Sequence, residues 1–210
     1  MTALRSIDLA GSEWQVVGWV PWAWQWGMAN GDAEGLAASR LKPYQCTPLL
    51  PAVVPGAVQE DLRRAGWLPD WNVGLNAAAC EWVEHRHWEY RRRVAVPADW
   101  SGQRIILQAE GLDYAGSIVV DGAIVGAFSG MMTPHAFDLT DALTPGPEHL
   151  LSIVFEEAPP EQGQIGFTSR SRWFKARFAY QWDWCPRLVP VGIWAGIRLL
   201  ARGEVRLMGC

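Results

Sequence analysis

The chain has 210 residues, 50% of them hydrophobic and 19% charged, with a net charge of −4. This composition excludes a disordered chain and is long enough to bury a sizeable core, while the acidic balance offers no basic footprint for nucleic acid or an anionic membrane. Fourteen tryptophans against six phenylalanines suit carbohydrate faces, a protein interface or a heavy aromatic core, and composition does not separate these.

Ser12 to Val17 reads as a first strand. Trp19 to Gly27 then places Trp22, Trp24 and Trp26 at alternating positions, and in an extended chain all three project from one face. Such a row fits a sugar-stacking platform or, more commonly for tryptophan, packing against a neighbouring protein surface. Residues 30–55 are rich in Gly, Ala and Pro without a period and read as a long loop. Ala57 to Ala65 carries Val58, Leu62 and Ala65 at helical spacing, with Gly66 as a stop, which predicts one short helix. Pro69 to Ala79 is a connection that ends in Gly74-Leu75-Asn76.

Trp82 to Val96 holds a strand in which Trp88, Tyr90, Arg92 and Val94 alternate with Glu89, Arg91 and Arg93. Alternation splits the Arg91-Arg92-Arg93 run across two faces, so it reads as a solvated or salt-bridged strand and not as a phosphate patch. Gln103 to Ala109 is the next strand. Asp121-Gly122 between Ser117–Val120 and Ala123–Gly126 marks a two-residue hairpin of the primed type. Phe137-Asp138-Leu139-Thr140 is a strand end with Asp138 and Thr140 as capping groups, and Leu150 to Phe155 is another strand. After a loop from Pro159 to Gly166, Phe174, Ala176, Phe178 and Tyr180 alternate with Lys175, Arg177 and Ala179 as in a half-buried strand. Gly192 to Leu199 is a further strand. About ten short strands with one short helix predict an all-β sandwich, one domain across residues 1–210 with its core at about 12–200.

Between those last strands lies Gln181-Trp182-Asp183-Trp184-Cys185-Pro186-Arg187-Leu188. Proline breaks regular strand pairing, which places Asp183 on a rim between two indoles. The arrangement suits a sugar, whose C–H face lies on an aromatic ring while a carboxylate accepts its hydroxyls. Taken alone, the stretch reads at least as well as a core tryptophan pair with Asp183 capping a turn.

Other chemistry is sparse. Cys46, Cys80, Cys185 and Cys210 have neither CxxC spacing nor a histidine at ligand spacing, which argues against a zinc site, and no motif implies a cofactor. His85 and His87 share a strand face without a third ligand. Glu156-Glu157, or Glu81 with Glu84, read as surface acids, so no residue is assigned to catalysis. Met1 to Gly11 has no apolar stretch of signal-peptide length and no run approaches a membrane span; the expectation is a cytoplasmic, reducing setting with free thiols.

The segment Trp182-Asp183-Trp184-Cys185-Pro186-Arg187-Leu188-Val189-Pro190-Val191-Gly192-Ile193-Trp194 resembles the closing segment of the amino-terminal domain in the β-mannosidases of glycoside hydrolase family two. Further matches follow the family order: Val54-Pro55-Gly56 with Asp61-Leu62, Pro69-Asp70, Gly74-Leu75-Asn76, Trp82-Val83, Trp88-Glu89-Tyr90-Arg91-Arg92, Glu110-Gly111-Leu112-Asp113, Phe137-Asp138-Leu139-Thr140 and Lys175-Ala176. The resemblance implies the jelly-roll, galactose-binding-like version of the sandwich. It also implies a catalytic (β/α)₈ barrel, expected outside this chain, that supplies the two glutamates. Retaining hydrolysis needs those carboxyls about 5–5.5 Å apart. In the resembling enzymes the aspartate of this loop binds the sugar, a role that maps onto Asp183, with Trp182 and Trp184 as walls and Asn76 as a further candidate on the rim. Arg187 is expected to pair with an acidic group and hold the rim together. The chain departs from the family pattern at Gln181 and Cys185, where glycines are expected, and at Gln59, Ala77, Gly130 and Phe174. The implied function is the substrate-rim domain of a β-mannosidase-like hydrolase, with carbohydrate and the barrel as partners. The alternatives are a freestanding carbohydrate-binding module and a ligand-free structural or interaction domain.

Overall fold

The computed structural model describes residues 5–25, 45–160, 169 and 172–203. In chain order its strands are β1 (Arg5–Asp8), β2 (Gly11–Trp19), β3 (Leu50–Val54), β4 (His87–Ala95), β5 (Arg104–Ala109), β6 (Leu112–Asp113) and β7 (Ala115–Val120). They continue as β8 (Ala123–Ser129), β9 (His135–Asp138), β10 (Glu148–Phe155), β11 (Tyr180–Trp182), β12 (Cys185–Arg187), β13 (Gly192–Ile193) and β14 (Ile197–Arg202). Helix α1 spans Val58–Arg64, and a 3-10 segment spans Asn76–His85.

Among the described residues, one antiparallel sheet has the order β1-β14-β5-β9 and a larger one the order β3-β2-β4-β10-β7-β8. The core lies between them: Trp14, Val16, Trp88, Tyr90, Ile118, Ile153 and Phe155 from the larger sheet meet Ile105, Leu107, Ile197 and Leu199 from the smaller. These are alternate residues along each strand, as a sheet with one face inward requires. Gly18 is obligatory in this packing, because a Cβ there would stand 2.7 Å from the Trp88 ring. The fold is thus the all-β jelly-roll sandwich expected from the sequence.

The larger sheet is covered on its outer face as well. Val17, Trp19, Trp24, Val119 and Val154 form a second buried cluster there. Within it Glu89 accepts hydrogen bonds from Trp19 Nε1 at 3.1 Å and Ser152 Oγ at 2.8 Å. Arg91 is buried on this side, while Arg92 pairs with Glu13 and Arg93 with Glu148. Arg92 and Arg93 are therefore salt-bridged as expected, and Arg91 is enclosed.

Local readings fared unevenly. Helix α1 buries Val58 and Leu62, and Gly66 follows its end at φ 77°, where a residue without Cβ is unstrained. The Asp121-Gly122 turn joins β7 to β8 with φ of 48° and 83°, the primed geometry. Thr140 N–H bonds Asp138 Oδ1 at 3.1 Å, and the Thr140 hydroxyl receives the Ile105 N–H at 3.0 Å, so both caps are present. The strand expected to begin at Trp82 begins at His87, because Asn76–His85 coils and turns Glu84 inward. A strand not anticipated, β1, pairs with β14. The tryptophan row is also corrected: the chain turns after Trp19, leaving Trp24 buried and Trp22 exposed, so the two do not share a face. Trp26 and residues 30–44 of the expected long loop lie outside the described residues, and the loop expected over 30–55 is corrected at Leu50–Val54, which is strand β3 paired with β2. Cys46, Cys80 and Cys185 are free thiols, and Cys210 is outside the described residues. No helix among the described residues is long and apolar enough to cross a membrane.

Candidate functional site

The segment 174–180 is not the half-buried strand its alternation suggests. It contains a 3-10 turn at Arg177–Ala179, and its pattern is inverted: Lys175 is buried while Phe174 and Phe178 are exposed. The cause is a partner for the charge. Lys175 Nζ donates to both carboxylate oxygens of buried Asp113 at 2.5 Å and to the Pro190 carbonyl at 2.7 Å. Burial pushes the Asp113 carboxyl up and the Lys175 ammonium down from their ordinary ranges, and each charge works against the shift of the other. This pair fixes the chain on both sides of the Asp183 segment. Sequence reading missed it as a pair, although Asp113 and Lys175 each stand in a segment shared with the family.

Next, β11 and β12 form a hairpin in which Tyr180 opposes Arg187 and Trp182 opposes Cys185. Asp183-Trp184 is therefore the two-residue tip. Gln181 adopts φ 92°, on the side of backbone space where L residues are strained; it stands where the family pattern expects glycine. Trp182 and Trp184 meet edge to face, ring centroids 6.0 Å apart. Asp183 is exposed between them, Trp184 is 78% exposed and Trp182 is half-buried. Among the described residues no side chain hydrogen-bonds the Asp183 carboxylate.

The base of the hairpin is held firmly. Arg187 donates Nε to Glu84 Oε1 at 2.7 Å and Nη2 to Oε2 at 3.1 Å, the forked geometry guanidinium favours, and its guanidinium lies 5.1 Å from the Tyr180 ring centroid. The acidic partner expected for Arg187 is therefore Glu84. Tyr180 donates its hydroxyl to the Pro159 carbonyl at 2.7 Å, and burial holds its phenol above the ordinary range. Gln59, on α1, bridges from below: its Nε2 donates to Val189 O at 2.6 Å.

The structure thus brings Trp182, Asp183 and Trp184 together at one tip. Asn76 stands apart: its Nδ2 donates to the Asp70 carbonyl at 2.9 Å, as a turn residue would, and among the described residues no hydrogen bond joins it to the hairpin. It opens the 3-10 segment whose other end carries Glu84 and packs against β12. Glu84 is committed to Arg187, which removes the Glu81–Glu84 pair from any acid–base role.

Residues 22–195 match the protein family described as glycosyl hydrolase 2 galactose-binding domain-like. Beta-mannosidase B of Aspergillus niger is 34% identical over 181 residues, covering 80% of this chain and 21% of that protein. Beta-mannosidase B of Emericella nidulans is 34% identical over 159 residues, covering 70% and 19%. The chain spans about a fifth of the length of these curated relatives. Among solved structures, a β-D-mannosidase from Dictyoglomus thermophilum superposes with a TM-score of 0.71 at 25% identity, over 93% of this chain and 22% of that one. A β-glucuronidase from Ruminococcus gnavus, at 15% identity and a TM-score of 0.59 over 97% of this chain and 30% of its own, shares the fold alone. By the family match along most of its length, the chain belongs to the glycosyl hydrolase 2 galactose-binding domain-like family.

Proposed function

We propose that the chain is the amino-terminal domain of a β-mannosidase-like glycoside hydrolase, and that its Asp183 hairpin forms part of the rim of a sugar pocket completed by a catalytic barrel domain. The observation that carries this reading is an exposed carboxylate at the tip of a hairpin whose base is locked by buried charge, Glu84–Arg187 on one side and Asp113–Lys175 on the other. A carboxylate needed only for folding would have partners. Asp183 has none among the described residues, and it stands beside two indoles at the tip of a hairpin whose base is hydrogen-bonded, a placement that suits a sugar hydroxyl acceptor. The relatives named Beta-mannosidase B and the solved β-D-mannosidase support a β-mannoside or related sugar as the substrate class. Asn76, at the start of the 3-10 segment that packs on β12, is proposed as a second polar group on the same rim.

The test is Asp183→Asn in an enzyme assembled from this chain and the barrel of a β-mannosidase relative. Losing a charge-assisted hydrogen bond worth about 1.5–3 kcal/mol should lower kcat/KM for an aryl β-mannoside by about tenfold to a hundredfold. The thermal midpoint of the chain should not move. Should the substitution unfold the chain instead, Asp183 is a structural cap and the assignment fails.

A further inference from the structure

The Asp183 hairpin is tied to the larger sheet through one short segment, residues 156–160, which leaves the end of β10. That strand runs between β4 and β7, and its last residue, Phe155, is buried. Just beyond it the Glu156 N–H bonds the Ala115 carbonyl at 2.9 Å, and the Ala158 N–H bonds the Glu84 carbonyl at 3.1 Å. Pro159 and Pro160 follow, each with its φ fixed by the ring. The segment is thus hydrogen-bonded at two points before the prolines stiffen it.

Both strands of the hairpin lead back to this segment. On β11, Tyr180 donates its buried hydroxyl to the Pro159 carbonyl at 2.7 Å. On β12, Arg187 opposes Tyr180 and forks onto the Glu84 carboxylate, and Glu84 passes the tie on through its own carbonyl to Ala158. Burial, with Asp113 and Glu84 nearby, holds the proton on the Tyr180 phenol, so its hydroxyl stays a donor at neutral pH. Tyr180 also stands directly before Gln181, whose φ of 92° is a strained step at the approach to the tip. Such a conformation persists only where the surroundings over-determine it.

Asp183 lies on the tip beyond these anchors, and among the described residues no side chain hydrogen-bonds its carboxylate. The direction of that carboxylate is therefore set by the two strands below it. For a group that must meet a substrate, a misplacement of about 1 Å can cost a hundredfold in rate. We propose that Tyr180 and Glu84 are positioning residues for Asp183, holding its carboxylate where it meets the sugar by tying β11 and β12 to the 156–160 segment. The inference rests on the reading of Asp183 as a sugar-binding group.

The test is a double-mutant cycle in the enzyme assembled from this chain and the barrel of a β-mannosidase relative. An aryl β-mannoside is the substrate, and every rate is measured well below the lowest thermal midpoint of the set. Tyr180→Phe deletes the hydroxyl and keeps the ring beside the Arg187 guanidinium. It should lower kcat/KM about fivefold with Asp183 in place, and by less than about twofold in the Asp183→Asn background, where the group it positions is already lost. Thr140→Val removes a hydrogen bond to the Ile105 N–H in the smaller sheet, and it should leave kcat/KM unchanged in both backgrounds. If Tyr180→Phe does not fold, Glu84→Gln, which offers Arg187 one acceptor in place of two, must show the same non-additivity. Equal losses in both backgrounds, or no loss with Asp183 present, would overturn the inference, while the loss in Asp183→Asn alone would leave the rim reading standing. Should Asp183→Asn itself cost nothing, the rim reading fails and the positioning role fails with it.

Discussion

His87 carries a consequence for pH. Burial lowers its pKa from 6.5 to about 4, so the folded ring stays neutral where an unfolded one takes a proton. Between those two values the unfolded state binds more protons, and stability must fall as pH drops, by at most about 1.4 kcal/mol per pH unit from this group. His87 Nδ1 accepts the Trp24 Nε1–H at 3.0 Å, and His87→Asn abolishes that titration while keeping an acceptor for Trp24. Urea denaturation at about pH 7 and about pH 5 should therefore show the wild-type protein losing more stability than the variant, and equal losses would contradict the burial argument. The role of this residue was not legible in the sequence. His85 and His87 read as one strand face, but His85 ends the 3-10 segment and only His87 enters the sheet. The buried Asp113–Lys175 pair was hidden for another reason: its members stand 62 residues apart, and no local period announces a long-range ion pair. The exposed position of Asp183 beside Trp182 and Trp184 was legible, because an acid between two indoles ahead of a proline constrains the chain within its own neighbours.

Two hairpins show what a local pattern can announce. The β7–β8 turn places Asp121 and Gly122 at positive φ, and Asp-Gly between β-branched runs declares that geometry without help from the rest of the fold. The β11–β12 hairpin needs positive φ at Gln181 and has no glycine to signal it. Its shape is imposed from outside by Arg187 on Glu84 and Tyr180 on Pro159. The same override explains why Phe174–Tyr180 alternates like a strand but is not one: the ammonium of Lys175 has partners inside and the aromatic rings do not. If tertiary contacts hold Gln181 in a strained conformation, Gln181→Gly should relieve it. Set against the entropy glycine loses on folding, the gain should be up to about 1 kcal/mol, seen as a higher thermal midpoint. A lower midpoint would mean that the Gln181 side chain contributes more than its backbone costs.

At the scale of the molecule, the buried acids among the described residues are already committed. Asp61 accepts from the Tyr90 hydroxyl and Val53 N–H, Glu84 from Arg187, Glu89 from Trp19 and Ser152, and Asp113 from Lys175. Retaining glycoside hydrolysis needs two carboxyls about 5–5.5 Å apart, one of them protonated and both free to reach the bond that breaks. Glu156 and Glu157, neighbours just past the end of β10, line a cleft there with Trp22, Tyr114 and Trp173. The hairpin and the segment leading into it, meanwhile, leave Phe174 77%, Phe178 64% and Trp184 78% exposed. Apolar surface of this kind marks a face that meets another surface, in keeping with a sugar pocket built jointly with a second domain. The chain by itself should therefore release no nitrophenol from p-nitrophenyl β-mannoside above the buffer rate. Turnover that persists through repurification and disappears in Glu156→Gln or Glu157→Gln would reverse this conclusion, because it would make the cleft itself the place where the glycosidic bond is cut.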